Sequence, residues 1–178
     1  MNNFDVDSCL KNITIISDTR EQPTDRYKRR MEQIGLPYVR EKLNAGDYSC
    51  RCLLPDGSDF NLSKYIAIER KMNIDELCQC FTRDRKRFEK EFERAKAAGT
   101  KIYLLVENGS WEKVYGGKYR SKMTPQALIA SIDAFRARYD MQLDFCKDET
   151  SGLLIRDILY RELKEKLIGM DYEPRADS

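Results

Sequence analysis

The chain has 178 residues and a formal net charge of +2, a length that suits one domain with a core of its own. No run of about eighteen apolar residues and no basic-then-apolar leader occurs, which argues against membrane insertion and secretion. Histidine is absent, so Ser-His-Asp and Cys-His chemistry is excluded and any catalysis must use carboxylates, lysine and metal. No phosphate-binding Gly-x-x-x-x-Gly-Lys-Ser/Thr loop is present, so no nucleotide cofactor is expected.

Taken in chain order, the apolar spacing predicts one mixed-sheet α/β domain. The expected strands are 13–17, 37–43, 48–54, 65–71, 101–107 and 141–146. The expected helices are 24–34, 73–98 with a break near 81–82, one opening at Thr124-Pro125, and 149–167. Gly35 is placed as a helix C-cap, and Thr124 as an N-cap before a proline in the first turn. Residues 1–11 and 169–178 are expected to be flexible tails around a domain over 12–168.

The most informative pattern lies in the strand expected over 65–71. Strand side chains alternate, so Ile66 and Ile68 should face one way and Glu69 and Lys71 the other. Asp47 opens a strand that should pair with this one. Carboxylates suit Mg²⁺ or Mn²⁺, and a neighbouring lysine can orient or help deprotonate a water and steady phosphate charge. The alternative is a half-buried strand that ends in a salt-bridged Glu and Lys.

A second charged cluster, Asp18-Thr19-Arg20-Glu21, follows directly on the first buried strand. Active sites of α/β proteins commonly gather at such strand ends. The alternative is a solvated loop in which Asp18 caps the following turn.

Together these motifs resemble the nuclease domain of the XPF family of structure-specific endonucleases, whose signature is GDx(n)ERKx(3)D. The fixed positions are matched by Gly46, Asp47, Glu69, Arg70, Lys71 and Asp75. The next helix carries Arg87 with Glu91 four residues later, where the family more often has Gln. The resemblance rests on specific motifs over 13–106 and on the order of elements over 107–168.

The resemblance implies a restriction-endonuclease-like fold, a mixed central sheet flanked by helices. It also implies a DNA endonuclease dependent on Mg²⁺ or Mn²⁺ that hydrolyses phosphodiester bonds in branched, flap or fork DNA during repair or recombination. The catalytic residues would be Asp18, Asp47, Glu69 and Lys71. The metal ligands would be Asp47, Glu69, the backbone carbonyl of Arg70 and, as a further carboxylate, Asp18. Residues that orient these ligands or the phosphate would be Arg20, Glu21, Arg70, Asp75 and Arg87, although Asp75 could instead cap the helix that begins near Ile74.

Aromatic and basic residues interleave in a Gly-rich loop after the strand at 101–107. Aromatic side chains can stack on bases and basic side chains can contact phosphates. The candidate DNA contacts are therefore Trp111, Tyr115, Lys118, Tyr119 and Arg120. The same residues could equally pin the loop to the domain or form a dimer contact. Two other basic runs are expected to be solvated helix faces, one within 82–98 and one formed by Arg26, Lys28, Arg29 and Arg30.

Two Cys-x-Cys pairs, at 50 and 52 and at 78 and 80, invite a zinc site. In structural zinc sites, paired cysteine ligands are usually separated by two residues and not by one. These cysteines are therefore expected to be reduced thiols of a cytoplasmic protein.

Family relatives form dimers through the nuclease domain, which implies a homodimer. Many also carry a tandem helix-hairpin-helix module, which this chain is expected to lack; a stand-alone nuclease would suit a bacterial or phage pathway. Two alternatives are a catalytically inactive DNA-binding or dimer-scaffold relative and a restriction-like nuclease that cuts specific duplex sequence.

Overall fold

The computed structural model describes residues 1–170, which form seven strands and seven helices. The strands are β1 (Thr14–Ser17), β2 (Tyr38–Arg40), β3 (Tyr48–Leu53), β4 (Asp59–Asn61), β5 (Ile66–Lys71), β6 (Lys101–Glu107) and β7 (Gln142–Cys146). The helices are α1 (Asn3–Lys11), α2 (Asp25–Ile34), α3 (Ile74–Phe81), α4 (Arg85–Ala97), α5 (Trp111–Tyr115), α6 (Pro125–Tyr139) and α7 (Ser151–Ile168). Within this part of the chain, no helix is both long enough and apolar enough to cross a membrane.

All the strands belong to one mixed sheet, as the sequence predicted. Their order is β2-β1-β3-β5-β6-β7, with β4 paired to β3 alone. Strands β1, β2, β5, β6 and β7 run in one direction, and β3 runs against its neighbours β1 and β5. The carboxyl ends of β1, β5, β6 and β7 therefore meet at the same edge of the sheet as the amino end of β3.

Helices cover both faces of the sheet, and each face carries its own apolar core. On one face, Ile66 and Ile68 of β5 pack with residues of α1, α2 and α7. On the other, Ala67 of β5 packs with residues of α3, α4 and α6, including an aromatic group built around Phe88 and Phe135. The alternation predicted for β5 is thus confirmed, and the strand divides its side chains between two buried layers.

The predicted helix boundaries are confirmed where a capping residue marks them. The side chain of Thr24 accepts a hydrogen bond from the backbone N–H of Tyr27 at the start of α2, and Gly35 ends that helix in the left-handed region. Thr124 caps α6 in the same way, with Pro125 as its first residue. The expected interruption of 73–98 separates α3 from α4.

The expectation of a flexible tail over 1–11 was wrong, because these residues form α1. Val6, Cys9 and Leu10 are buried against the first core, and the N-terminal amine donates to the carbonyl oxygen of Met170 at 2.7 Å. Of the tail expected over 169–178, residues 171–178 lie outside the described part of the chain. Strand β4 and helix α5 were also not predicted; each has five residues or fewer and lies in a segment with loop-like composition.

All six cysteines are free thiols, and five of them are buried. Burial raises the pKa of Cys80 to about 11 and that of Cys52 to about 12, values at which a thiol stays protonated. No group of three or more cysteine or acidic side chains within residues 1–170 is arranged to hold a metal ion.

Candidate active site

Backbone hydrogen bonds bring three sequence motifs together at the shared sheet edge. The backbone N–H of Asp18, just after β1, donates to the carbonyl oxygen of Asp47 at 2.8 Å. The N–H of Asp47, just before β3, donates to the carbonyl oxygen of Ile68 in β5 at 2.7 Å. The predicted pairing of the Asp47 strand with the Glu69 strand is therefore present, and the two acids come from adjacent strands.

The turn before Asp47 requires glycine. Gly46 has a φ of +71°, and a Cβ at this position would lie 2.9 Å from the carbonyl oxygen of Ile68 and 2.9 Å from the Cβ of Ala67. The N–H of Gly46 donates to a carboxylate oxygen of Glu91 at 3.1 Å, and Arg20 Nη2 donates to its carbonyl oxygen at 3.3 Å. Side chains from two other segments thus hold the turn that carries Asp47.

The carboxylates of Asp47 and Glu69 lie where β3 and β5 meet, with the Lys71 amine beside them. Asp47 Oδ2 accepts the backbone N–H of Arg70 at 2.8 Å. Glu69 and Lys71 project from the same face of β5, as predicted, and form a hydrogen-bonded ion pair. Lys71 Nζ also lies 5.3 Å from the ring centre of Phe88 in α4. Both members of the pair are buried, 6% and 8% exposed, so the pair lies in a partly dry environment.

Burial and neighbouring charge shift the ionisation of this group. The pKa of Asp47 is raised well above its usual range, first by burial and then by the negative charge of Glu69. Burial alone would lower the pKa of Lys71, but the charge of Glu69 outweighs it and raises that pKa. Lys71 is therefore an ammonium group that can donate hydrogen bonds, and its charge offsets only part of the repulsion between the carboxylates of Asp47 and Glu69.

Asp18 is fully buried, and its two oxygens are already used. Oδ1 accepts from both the backbone N–H and the Nε of Arg20 at 2.7 Å, and Oδ2 accepts from the backbone N–H of Leu43 at 2.6 Å. Burial would raise its pKa, but the Arg20 side chain and these backbone donors lower it. This geometry matches the alternative in which Asp18 caps a turn, and its assignment as a metal ligand stays a prediction.

On the opposite face of β5, the Arg70 side chain enters a buried network of charges. Arg70 Nη1 donates to Glu107 Oε2 at 3.1 Å, and Arg70 Nε lies 3.7 Å from Glu21 Oε2. The other oxygen of Glu107 accepts from Arg30 Nε at 3.2 Å. The Tyr48 hydroxyl accepts from Arg30 Nη1 at 3.0 Å and donates to Glu21 Oε2 at 2.8 Å. Glu21 thus contacts Arg70, whose neighbours in β5 carry the site, and Arg20 contacts the Gly46 turn; their predicted roles in orienting ligands or the phosphate stay predictions.

Arg30 and Glu107 were missed by the sequence reasoning. Arg30 was expected on a solvated helix face, but it is only 3% exposed. Tyr27, Arg30, Met31 and Ile34 of α2 are all buried, and this helical spacing was the available signal. Glu107 ends a strand whose residues from Ile102 to Val106 are mostly apolar, at the same edge as Lys71, and is fully buried.

Asp75 does not cap α3, because the Asn73 side chain performs that role. Instead, Asp75 Oδ1 accepts the backbone N–H groups of Arg120 and Ser121 at 2.7 and 2.8 Å. Asp75 therefore ties the segment after α5 to the first turn of α3, and that segment carries residues considered as DNA contacts.

The aromatic residues of this segment divide into packed and exposed members. Trp111 packs edge-on against Phe145 at 5.4 Å between ring centres, and the Tyr119 hydroxyl donates to the carbonyl oxygen of Met123 at 2.9 Å. Trp111 and Tyr119 both pack against the second core, and this packing pins the segment to the domain. Tyr115 is 64% exposed, and Lys118 and Arg120 are also exposed.

Arg87 and Glu91 have different environments, although both lie on α4. Glu91 binds the Gly46 turn. Arg87 has an 82% exposed side chain that pairs with Asp84 at 3.7 Å. Arg87 is thus mostly exposed, and its predicted role near the site stays a prediction.

Two clefts flank the end of β5 and share Arg70 and Met72 in their walls. One has a volume of about 440 Å³ and reaches Arg120, and the other has about 640 Å³ and reaches Arg20 and Arg26. The larger cleft carries four arginines and two acids in its walls, an excess of positive charge that suits a polyanionic ligand, whereas the smaller cleft carries two of each.

Comparison with known proteins places this arrangement in a family. Residues 17–156 match the ERCC4 domain. Among solved structures, XPF from Aeropyrum pernix is similar, with a TM-score of 0.61 and 20% identity over 93% of this chain and 69% of that chain. The same protein in complex with DNA gives a TM-score of 0.58 and 20% identity over 91% of this chain and 68% of that chain. No curated protein sequence matches the chain. The fold is accordingly the restriction-endonuclease-like fold of XPF, and the chain belongs to the ERCC4 domain family.

Proposed function

We propose that this protein is a divalent-metal-dependent DNA endonuclease that hydrolyses phosphodiester bonds in branched, flap or fork DNA during repair or recombination. One observation carries the proposal: Asp47 and Glu69 lie side by side on hydrogen-bonded strands, with the ammonium group of Lys71 against Glu69. A stable fold does not require two repelling, partly dry carboxylates at a sheet edge, whereas binding of a cation would relieve their repulsion.

The donor set fits Mg²⁺ or Mn²⁺. These hard cations prefer oxygen ligands, and Mg²⁺ in particular takes one or two protein carboxylates while keeping waters and substrate phosphates as its remaining ligands. Asp47 and Glu69 supply the carboxylates, and the backbone carbonyl of Arg70 is the proposed third protein ligand. A cage of three acidic side chains is not required, which agrees with the finding that none exists within residues 1–170.

A bound divalent cation would neutralise the charge that develops on the phosphate and make a water molecule more acidic. Lys71 would turn its ammonium group from Glu69 toward the attacking water or a phosphate oxygen and fix its position. Asp18 and Arg20 would hold the Gly46 turn, and thereby the position of Asp47, through the contacts described above. Hydrolysis forms a bond between the water oxygen and phosphorus and breaks a phosphorus–oxygen bond of the DNA backbone, while the proton lost by the water passes through solvent and the departing sugar oxygen is protonated to a hydroxyl.

The DNA would lie along the two clefts that flank β5. Arg20 and Arg120 line opposite clefts and can each contact a phosphate. Tyr115 can stack on an unpaired base, which favours a substrate with a single-stranded arm. The similar XPF structure in complex with DNA supports DNA as the ligand.

The homodimer implied by the family resemblance remains a proposal, and light scattering of the purified protein would test it.

The first experiment is cleavage of end-labelled flap, splayed-arm, single-stranded and linear duplex DNA with Mg²⁺, Mn²⁺ or EDTA. Asp47→Ala and Glu69→Ala serve as the variants, since each removes one proposed ligand. We expect metal-dependent cutting of the branched substrates by the wild-type protein, and no cutting by either variant.

Both variants should stay folded and bind DNA, because their carboxylates contribute to the site and not to either apolar core. Loss of folding and binding together would contradict the ligand assignment. A folded wild-type protein that binds DNA but cuts no substrate would favour an inactive scaffold, and equal cutting of branched and linear DNA would refute the preference for branches.

A further inference from the structure

The buried network behind β5 touches the site through the backbone of its neighbours. Arg70 lies between Glu69 and Lys71 in sequence, and Tyr48 follows Asp47. Strand alternation sends the side chains of Arg70 and Glu69 to opposite faces of the sheet. A contact that fixes Arg70 therefore also fixes the main chain from which Glu69 and Lys71 project.

Glu107 lies at the centre of this network. It is fully buried, and its two oxygens are divided between two arginines, with Oε2 facing Arg70 and Oε1 facing Arg30. Arg30 comes from α2, so its contact with Glu107 links that helix to β6, and the contact with Arg70 continues the link to β5. The planar guanidinium groups hold this arrangement in a defined geometry.

The network is balanced in charge, with Arg30 and Arg70 opposed by Glu21 and Glu107. The guanidinium group of Arg70 pairs with Glu21 and Glu107, while Asp47 accepts only the backbone N–H of that residue. The backbone N–H of Arg70 is thus a fixed hydrogen-bond donor to the Asp47 carboxylate. Because the positive charge of the Arg70 side chain is paired with Glu21 and Glu107, the negative charge of Asp47 and Glu69 stays available to bind a cation.

We propose that Glu107 and Arg30 are positioning residues of the nuclease site. They hold the Arg70 side chain on the α2 side of the sheet, and this keeps the backbone of Arg70 against the Asp47 carboxylate. The inference rests on the proposed function for its effect on cleavage, whereas its effect on metal binding can be measured independently.

The test uses Glu107→Gln, which keeps the shape of the side chain but removes its charge, and Arg30→Lys, which keeps the charge but removes the forked geometry. The matched control is Glu162→Gln. Glu162 pairs with Lys101, at the far end of the same strand β6, about 20 Å from Glu107 at the usual rise per strand residue. Melting temperature, Mn²⁺ affinity by calorimetry, and kcat and KM for branched DNA are measured for each protein.

We expect Glu107→Gln to lower kcat and Mn²⁺ affinity, each by roughly 10–100-fold, as is typical when a group that orients a metal ligand is lost. The KM for DNA should change little in Glu107→Gln, since Glu107 is fully buried and lines neither of the two clefts beside β5. Arg30→Lys should show a smaller loss of the same kind, and Glu162→Gln should change the melting temperature alone.

A Glu107→Gln protein with wild-type kcat and Mn²⁺ affinity but a lower melting temperature would show a purely structural role and overturn the inference. If that variant does not fold, Arg30→Lys is judged by the same criteria. If the wild-type protein cuts no DNA, the proposed function fails, and the Mn²⁺ titration alone tests the positioning role. Weaker Mn²⁺ binding by the variants than by the wild type would support that role. Equal Mn²⁺ binding by all the proteins, or no binding by the wild type, would overturn it.

Discussion

Gly46→Ala should be far more damaging than an alanine at another glycine of similar backbone conformation. Gly46 and Gly57 have φ values of +71° and +78°, so a Cβ at either position costs roughly 1–2 kcal/mol of backbone strain. At Gly57 the new Cβ meets nothing within 4 Å, but at Gly46 it lies 2.9 Å from the carbonyl oxygen of Ile68. Because that oxygen belongs to the backbone of β5, relief requires the strands to separate, which adds about 1–3 kcal/mol.

The two substitutions should therefore differ in both stability and activity. Gly57→Ala should lower the melting temperature by roughly 2–8 °C and Gly46→Ala by roughly 4–20 °C, at 2–4 °C per kcal/mol for a chain of this size. Only Gly46→Ala moves Asp47, and a displacement of about 1 Å can reduce cleavage by about 100-fold. Thermal denaturation and cleavage of flap DNA below both melting temperatures measure the effects. Equal losses of stability and of cleavage activity in the two variants would refute the argument that the close approach of β3 and β5 fixes the position of Asp47.

Three further predictions concern the site and its surroundings. Asp47→Asn should raise the melting temperature of the metal-free protein, because it removes repulsion from Glu69. Mg²⁺ at 100 times its dissociation constant should stabilise the wild type by about 2.7 kcal/mol and this variant much less. Calorimetric scans with and without Mg²⁺ measure both effects, and an equal rise in melting temperature for the two proteins would contradict Asp47 as a metal ligand. Asp75→Ala should release the backbone of Arg120, and limited proteolysis should then cut the segment after α5 faster; an unchanged cutting rate would mean that the tether is dispensable. Tyr115→Ala should weaken binding of single-stranded and branched DNA by about 1–3 kcal/mol per lost stacking contact without a change in melting temperature. Fluorescence anisotropy measures the affinity, and an affinity equal to that of the wild type would show that Tyr115 does not contact DNA.

Local patterns were sufficient to predict six of the seven strands and five of the seven α-helices, and also which side chains share a face of β5. Alternation within β5 correctly placed Glu69 and Lys71 on one face, and capping residues such as Thr24 marked helix boundaries. The same kind of signal was present but overlooked in α1, where Val6, Cys9 and Leu10 have helical spacing behind the capping Asn2.

The network behind β5 could not be predicted, because it depends on strand order and on contacts between distant segments. Arg30 and Glu107 are 77 positions apart, and although the helical spacing of Arg30 with Met31 and Ile34 indicates its burial, nothing in the sequence names Glu107 as its partner. The use of Asp18 as a hydrogen-bond acceptor depends similarly on Leu43. The sequence predicted a strand over 37–43, but β2 ends at Arg40 and the backbone N–H of Leu43 is free to bind Asp18.

The mixed sheet also determines when the site can exist during synthesis of the chain. The proposed ligands lie before residue 72, but the strand that carries Glu69 and Lys71 is paired on its other side by β6, and β6 in turn by β7 at residues 142–146. Such pairing between distant segments forms late in folding. A nascent chain on the ribosome can therefore contain all the acidic site residues and still lack β6 and β7, the strands that support β5. The ability to cut DNA would arise only once the later strands and helices have been added.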